Sequence, residues 1–122
     1  VPKKILIAED SPTMRSLIVS TIVDVGDYEI FEAANGFEAL RILPREKVDL
    51  VITDINMPDI NGLELVSFVK SNPRYKTTPL LIISTEGKER DREKGLTLGA
   101  DSYLVKPFSP EDLQALIRRF LG

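Results

Sequence analysis

The sequence predicts a single α/β domain built on a five-stranded parallel sheet, and three observations point to it. Strand-like apolar runs and amphipathic helical segments alternate five times along the chain. The runs Ile5-Leu6-Ile7, Leu50-Val51-Ile52 and Leu80 to Ile83 are apolar throughout, as strands covered on both faces must be. A chain of 122 residues is also the right length for one core and leaves no room for a second domain, so residues 1–122 are read as one unit.

The first strand spans Lys3 to Ala8 and is followed by the acid pair Glu9-Asp10. Ser11-Pro12 then supplies a helix N-cap and a proline at the first helical position, ahead of Met14, Leu17, Ile18, Thr21, Ile22 and Val25 at helical spacing, with Gly26 as the stop. Tyr28 to Ala33 alternates as a second strand. Asn35-Gly36 turns into a second helix with Phe37, Leu40, Ile42 and Leu43 as its expected apolar face, closed by Pro44. The third strand, Leu50 to Asp54, runs into Met57-Pro58-Asp59-Ile60-Asn61-Gly62, a stretch rich in turn residues. Leu63, Leu65, Val66, Phe68 and Val69 give a third helix that stops before Pro73, and Pro79 opens the fourth strand, which ends at Ser84. Lys88 to Leu98 is dominated by charge, with Leu96 and Leu98 as its few anchors, so a loosely held helix is expected there, one able to move. Ser102 to Val105 forms the last strand before Lys106-Pro107. Ser109-Pro110 starts a final helix whose inward face is Leu113, Leu116, Ile117, Phe120 and Leu121.

Composition excludes much. With no cysteine, the chain has no disulfide, thiol nucleophile or thiolate metal site. With no histidine, Ser-His-Asp chemistry and imidazole zinc sites are gone as well, so any metal must be a hard cation held by oxygen. A net charge of −3 without a clustered basic stretch argues against nucleic-acid binding. Because no apolar run is long enough to cross a bilayer and no charged-then-apolar leader opens the chain, a cytoplasmic protein without membrane association is expected. Val1 stands where an initiator Met would, which fits a trimmed chain.

In a parallel sheet, whatever follows each strand lands on one edge. That edge receives Glu9 and Asp10, Asp54, Ser84 and Lys106. Each has a plain alternative: Asp54 as a turn cap, Glu9 and Asp10 as helix caps, Ser84 as a turn residue, Lys106 as a solvated strand end. Taken together they have a chemistry. Three crowded carboxylates repel one another by on the order of a few kcal/mol and call for a cation; Mg²⁺ suits an all-oxygen set that leaves room for a phosphate. Lys106 and the Ser84 hydroxyl can bind phosphoryl oxygens, and an aspartate beside them can attack phosphorus in line. The residues therefore point to phosphoryl transfer onto Asp54.

At this point the chain resembles the receiver domain of two-component response regulators (CheY-like) along its whole length. The resemblance rests on Glu9-Asp10, on Asp54 with Pro58 and Gly62 following, on Ser84, and on Tyr103-Leu104-Val105-Lys106-Pro107-Phe108. It implies the flavodoxin-like strand order 2-1-3-4-5, for which flavodoxin and CheY are the known examples. It also implies that Asp54 takes a phosphoryl group from a phosphohistidine on a sensor histidine kinase or phosphotransfer protein. Glu9, Asp10, Asp54 and the backbone carbonyl of Asn56 would hold Mg²⁺, with Glu9 acting through water. Ser84 and Lys106 would bind the phosphoryl oxygens, and the Lys106-Pro107 bond would be cis. Ser84 and Tyr103 would be the switch pair, the ring turning inward as Ser84 is drawn to the phosphate. Asn56 and Glu86 match residue types of CheY proteins and imply fast self-dephosphorylation. Glu9 stands where Asp is commoner and Ser84 where Thr is commoner, which bears on metal distance and on coupling to Tyr103.

The expected role is a signalling switch and not an enzyme with a separate substrate. Its output protein would bind at the Lys88–Leu98 helix, the Ser102–Val105 strand and the Ser109–Leu121 helix, in chemotaxis or motility control. A receiver cut from a longer regulator is a close variant. A phosphatase of the haloacid dehalogenase type would need an acid two residues beyond Asp54, where Asn56 stands. A degenerate receiver acting as a fixed scaffold is the third alternative.

Overall fold

The computed structural model describes residues 1–85 and 87–122. The five expected strands form one parallel sheet: β1 (Lys4–Ala8), β2 (Glu29–Ala33), β3 (Leu50–Asp54), β4 (Leu80–Thr85) and β5 (Ser102–Lys106), in the order β2-β1-β3-β4-β5. Five helices alternate with them: α1 (Pro12–Val23), α2 (Gly36–Ile42), α3 (Gly62–Ser71), α4 (Glu89–Thr97) and α5 (Pro110–Leu121). Among the described residues no helix is long and apolar enough to cross a membrane.

The period of two along each strand divides the core between the two faces. Leu6, Ala8, Val51, Leu80 and Ile82 point to the side where Ala39, Leu43, Leu65, Val66 and Val69 of the α2–α3 region pack. Ile5, Ile7, Leu50, Ile52, Leu81 and Ile83 point to the other side, against Ile18 and Ile22 of α1 and Leu113, Ile117 and Leu121 of α5. The central strands therefore read as continuous apolar runs because both faces are covered.

Helix starts follow their caps. The Ser11 hydroxyl accepts from the Met14 N–H at 3.2 Å, and the Ser109 hydroxyl from the Asp112 N–H at 3.2 Å, each ahead of a proline in the first turn. Asn61 and Glu64 form a reciprocal capping box at α3.

Three expectations about faces need correction. Phe37 is 52% exposed, because the close face of α2 is made by Gly36, Ala39 and, just past the helix, Leu43. A Cβ at Gly36 would lie 2.5 Å from the Ile60 carbonyl oxygen, so the helix start approaches the loop after β3 too closely for a side chain. Phe68 is partly exposed and instead meets the ring of Tyr75, with centroids 6.0 Å apart. Leu96 and Leu98 are both 38% exposed and do not anchor α4. Its buried residue is Gly95, where a Cβ would come within 2.7 Å of Ile82 Cδ1; α4 is held by backbone proximity and not by an apolar stripe.

Candidate functional site

The carboxyl edge of the sheet holds the site, at the point where the strand order reverses between β1 and β3. Strand β3 is buried along its full length, so its last residue, Asp54, is carried into a nearly closed position and is 4% exposed. Beyond it, Ile55 and Met57 turn back into the core, while Asn56 stays exposed. This loop is tied down hard: the Gly62 N–H donates to the Ile55 carbonyl at 2.8 Å, and a Cβ at Gly62 would sit 2.0 Å from the Asp54 carbonyl oxygen. Glycine is required there by close approach, not by its turn propensity.

Glu9 and Asp10 follow β1. Glu9 is 1% exposed; its Oε1 accepts from Lys106 Nζ at 2.9 Å and its Oε2 from the Ser11 N–H at 3.2 Å. Burial pushes its carboxyl up to about 7, with the Asp54 charge adding to the rise and the Lys106 hydrogen bond, the Ser11 N–H and the Lys106 charge opposing it. Asp10 is exposed. Carboxylate oxygens of Glu9, Asp10 and Asp54 all lie within 4.8 Å of one another. Lys106, the last residue of β5, also stands 3.5 Å from Asp54 Oδ2, and its bond to Pro107 is cis. One lysine thus partly neutralises two buried carboxylates.

Two buried polar atoms have no hydrogen-bond partner among the described residues: Asp54 Oδ1 and Ser84 Oγ. A buried oxygen left unpaired costs about 1–3 kcal/mol, so a pair of them at the ends of the neighbouring strands β3 and β4 asks for a ligand. Ser84 is 1% exposed and lies inside β4, which continues to Thr85, beyond the end expected at the fourth strand's apolar run. The donor set fits a hard divalent cation: it is all oxygen and anionic, with one unpaired carboxylate oxygen in it. Asn56 lines the same cleft as Asp10, a depression of about 560 Å³.

Tyr103, on β5, is 41% exposed, and the Arg92 guanidinium of α4 covers its ring at 4.9 Å from the centroid. The position expected for tuning dephosphorylation at Glu86 lies outside the described residues. The structure therefore brings Glu9, Asp10, Asp54 and Lys106 together, buries Ser84 at the neighbouring strand end, and leaves Tyr103 turned outward. One residue at this edge went unnoticed in the sequence. Arg15 donates from Nη1 to the Glu9 carbonyl at 2.7 Å; its sequence signal is a cation in the first turn of a helix, where the helix dipole disfavours it.

Known proteins agree with this architecture. The family model described as "Response regulator receiver domain" matches residues 5–118. A chemotaxis protein CheY homolog of Campylobacter jejuni is 39% identical over 120 residues, covering 98% of this chain and 92% of that protein. Chemotaxis protein CheY1 of Helicobacter pylori is also 39% identical, over 98% of this chain and 97% of its own. Among solved structures, the chemotaxis response regulator CheY4 of Vibrio cholerae superposes with a TM-score of 0.89 at 38% identity, covering 99% of this chain and 100% of that one. A receiver domain of sensor histidine kinase PA1611 from Pseudomonas aeruginosa, with a magnesium ion in its active-site cleft, superposes with a TM-score of 0.89 at 26% identity. From the acid cluster, the doubly wound fold and these matches, it follows that the chain belongs to the response regulator receiver domain family, in its CheY-like form.

Proposed function

We propose that residues 1–122 form one receiver that accepts a phosphoryl group on Asp54 from a phosphohistidine of a sensor histidine kinase or phosphotransfer protein. The observation that carries this is that Asp54 Oδ1 and Ser84 Oγ, at the ends of the neighbouring strands β3 and β4, are buried without a hydrogen-bond partner among the described residues, with the Lys106 ammonium at 3.5 Å from the other Asp54 oxygen. An Asp54 oxygen forms the new bond to phosphorus as the phosphorus–nitrogen bond to the donor imidazole breaks, and the imidazole keeps the bonding electron pair. Lys106 and Ser84 are the residues that would take the transferred oxygens: the ammonium as a point charge, the hydroxyl as a donor. For Lys106 this means leaving Glu9, its present partner at 2.9 Å.

Glu9, Asp10, Asp54 and the Asn56 carbonyl would hold magnesium, as the receiver of PA1611 does in its own cleft. When bound, the ion neutralises the acid cluster and withdraws charge from the phosphoryl oxygens. Loss of the phosphoryl group would be by water, with Asn56 and Glu86 controlling access.

The output is protein binding. Drawing Ser84 toward a phosphoryl group vacates space on the β4 side of β5, and Tyr103 moving inward would uncouple from Arg92 and change the α4–β5–α5 surface. The similarity to chemotaxis proteins supports chemotaxis or motility control in the cytoplasm as the setting. Intact mass after incubation with acetyl phosphate tests the reading. The expected result is one added phosphoryl group that requires both Mg²⁺ and Asp54, absent in Asp54→Ala. No addition to a folded, Mg²⁺-bound protein would leave a fixed scaffold instead.

A further inference from the structure

We infer that Arg15 is a positioning residue for the acid pair, fixing the Glu9–Asp10 peptide so that the exposed Asp10 carboxylate meets the two buried ones. This rests on the metal-binding reading of the site given above.

The two acids are held very differently. Glu9 is tied at every end: its N–H donates to the Ala33 carbonyl at 3.0 Å, and its carboxylate accepts from Lys106 and from the Ser11 N–H. Asp10 is exposed, and among the described residues no group donates to its carboxylate. Its place depends on its backbone alone. That backbone begins with the Glu9–Asp10 peptide, a rigid plane whose orientation is set once its oxygen is fixed. The Glu9 oxygen accepts from Arg15 Nη1 at 2.7 Å, a short charge-assisted bond.

Arg15 is well placed for this. Its own backbone N–H is bonded to the Ser11 carbonyl at 2.9 Å, so its Cα is locked in the first turns of α1, and helical side chains lean toward the N-terminus, here back over the acid pair. On its outer side, Nε donates to Glu32 Oε1 of β2 at 3.3 Å. The guanidinium thus spans α1, the β1–α1 loop and β2, and it is mostly covered, with its side chain 20% exposed. A cation near a helix N-terminus opposes the helix dipole, so these two acceptors offset an unfavourable position.

The sign of the effect separates positioning from charge. A guanidinium beside the acid cluster repels Mg²⁺, so if charge alone mattered, removing it would tighten metal binding. If Arg15 positions the ligands, removing it loosens binding. Arg15→Met keeps side-chain length and helix propensity while deleting charge and donors. Calorimetric Mg²⁺ titration of this variant is expected to show affinity at least about tenfold weaker than the parent, the usual effect of losing a group that orients a metal ligand. R15K, whose ammonium can reach the Glu9 carbonyl, retains most of the affinity, and E32Q, which leaves that bond in place, is unchanged. Should R15M not fold, R15L, which also lacks charge and donors, takes its place with the same expectation. Thermal unfolding without metal, recorded for each variant, separates lost affinity from lost fold. Binding by R15M that is equal to or tighter than the parent's would overturn the positioning role. Absence of Mg²⁺ binding by the parent would instead overturn the reading of the site on which the inference rests.

Discussion

Glu9 carries the sharpest residue-level prediction. Its carboxyl is held near 7 against an ordinary value of 4.5, chiefly by burial. Between those values the folded protein keeps a proton that the unfolded chain has lost, so Glu9 stabilises the fold fully below about pH 4.5, and that contribution is lost as pH rises through about 7. Metal binding must displace the same proton. Mg²⁺ affinity is therefore expected to fall as pH drops below about 7, and Glu9→Gln is expected to flatten that slope. Calorimetric titration across this range checks it; an affinity that ignores pH in the parent would contradict it. Ser84 gives a second prediction. Since its buried hydroxyl has no partner among the described residues, Ser84→Ala is expected to leave the unphosphorylated fold as stable or up to about 1 kcal/mol more stable in urea unfolding, while impairing phosphoryl acceptance. A loss of more than about 2 kcal/mol would show that the hydroxyl is partnered after all. The types of these residues and their strand-end positions were legible in the sequence. The Lys106–Glu9 hydrogen bond was not, because it joins positions 97 apart and depends on which strands become neighbours.

At the scale of elements, the two glycines that hold helices close to the sheet behave differently. Gly62→Ala would drive a Cβ into backbone at 2.0 Å and is expected to cost more than about 3 kcal/mol, read from urea unfolding, with α3 displaced from the end of β3. α4 is the weakly held helix. Lys88 gives it no side-chain cap, and Gly95 is its one buried residue. Lys88→Asp, which supplies a capping oxygen, is expected to add about 1 kcal/mol and to slow amide exchange along Glu89–Thr97. Unchanged exchange there would place the weakness elsewhere. The loose character of α4 could be read from its charge; its actual anchor could not, because Gly95 has no side chain and a hydrophobic pattern cannot register a close backbone approach. Phe37 illustrates the converse error. An aromatic at a helix start attracts assignment to the core, yet the adjoining Gly36 and Ala39 already fill the narrow space beside the loop after β3.

For the whole molecule, alternation and apolar strands were sufficient to specify a parallel sheet with both faces covered, and in the structure alternate residues of each strand go to opposite cores. Strand order came from likeness to a known family, since hydrophobic periodicity says nothing about which strands are neighbours. The order matters for function: it places the ends of β1 and β3 side by side, so Glu9, Asp10 and Asp54 converge although Asp54 lies far along the chain. We propose that this convergence makes Asp54, and no other carboxylate, the phosphoryl acceptor. Borohydride reduction after phosphorylation by acetyl phosphate and Mg²⁺, followed by peptide sequencing, tests it most directly, because an acyl phosphate is reduced to an alcohol where it stands. The expected product is homoserine at position 54 with Glu9 and Asp10 intact; a reduced residue at either of those positions, or phosphoryl incorporation with position 54 unchanged, would contradict it.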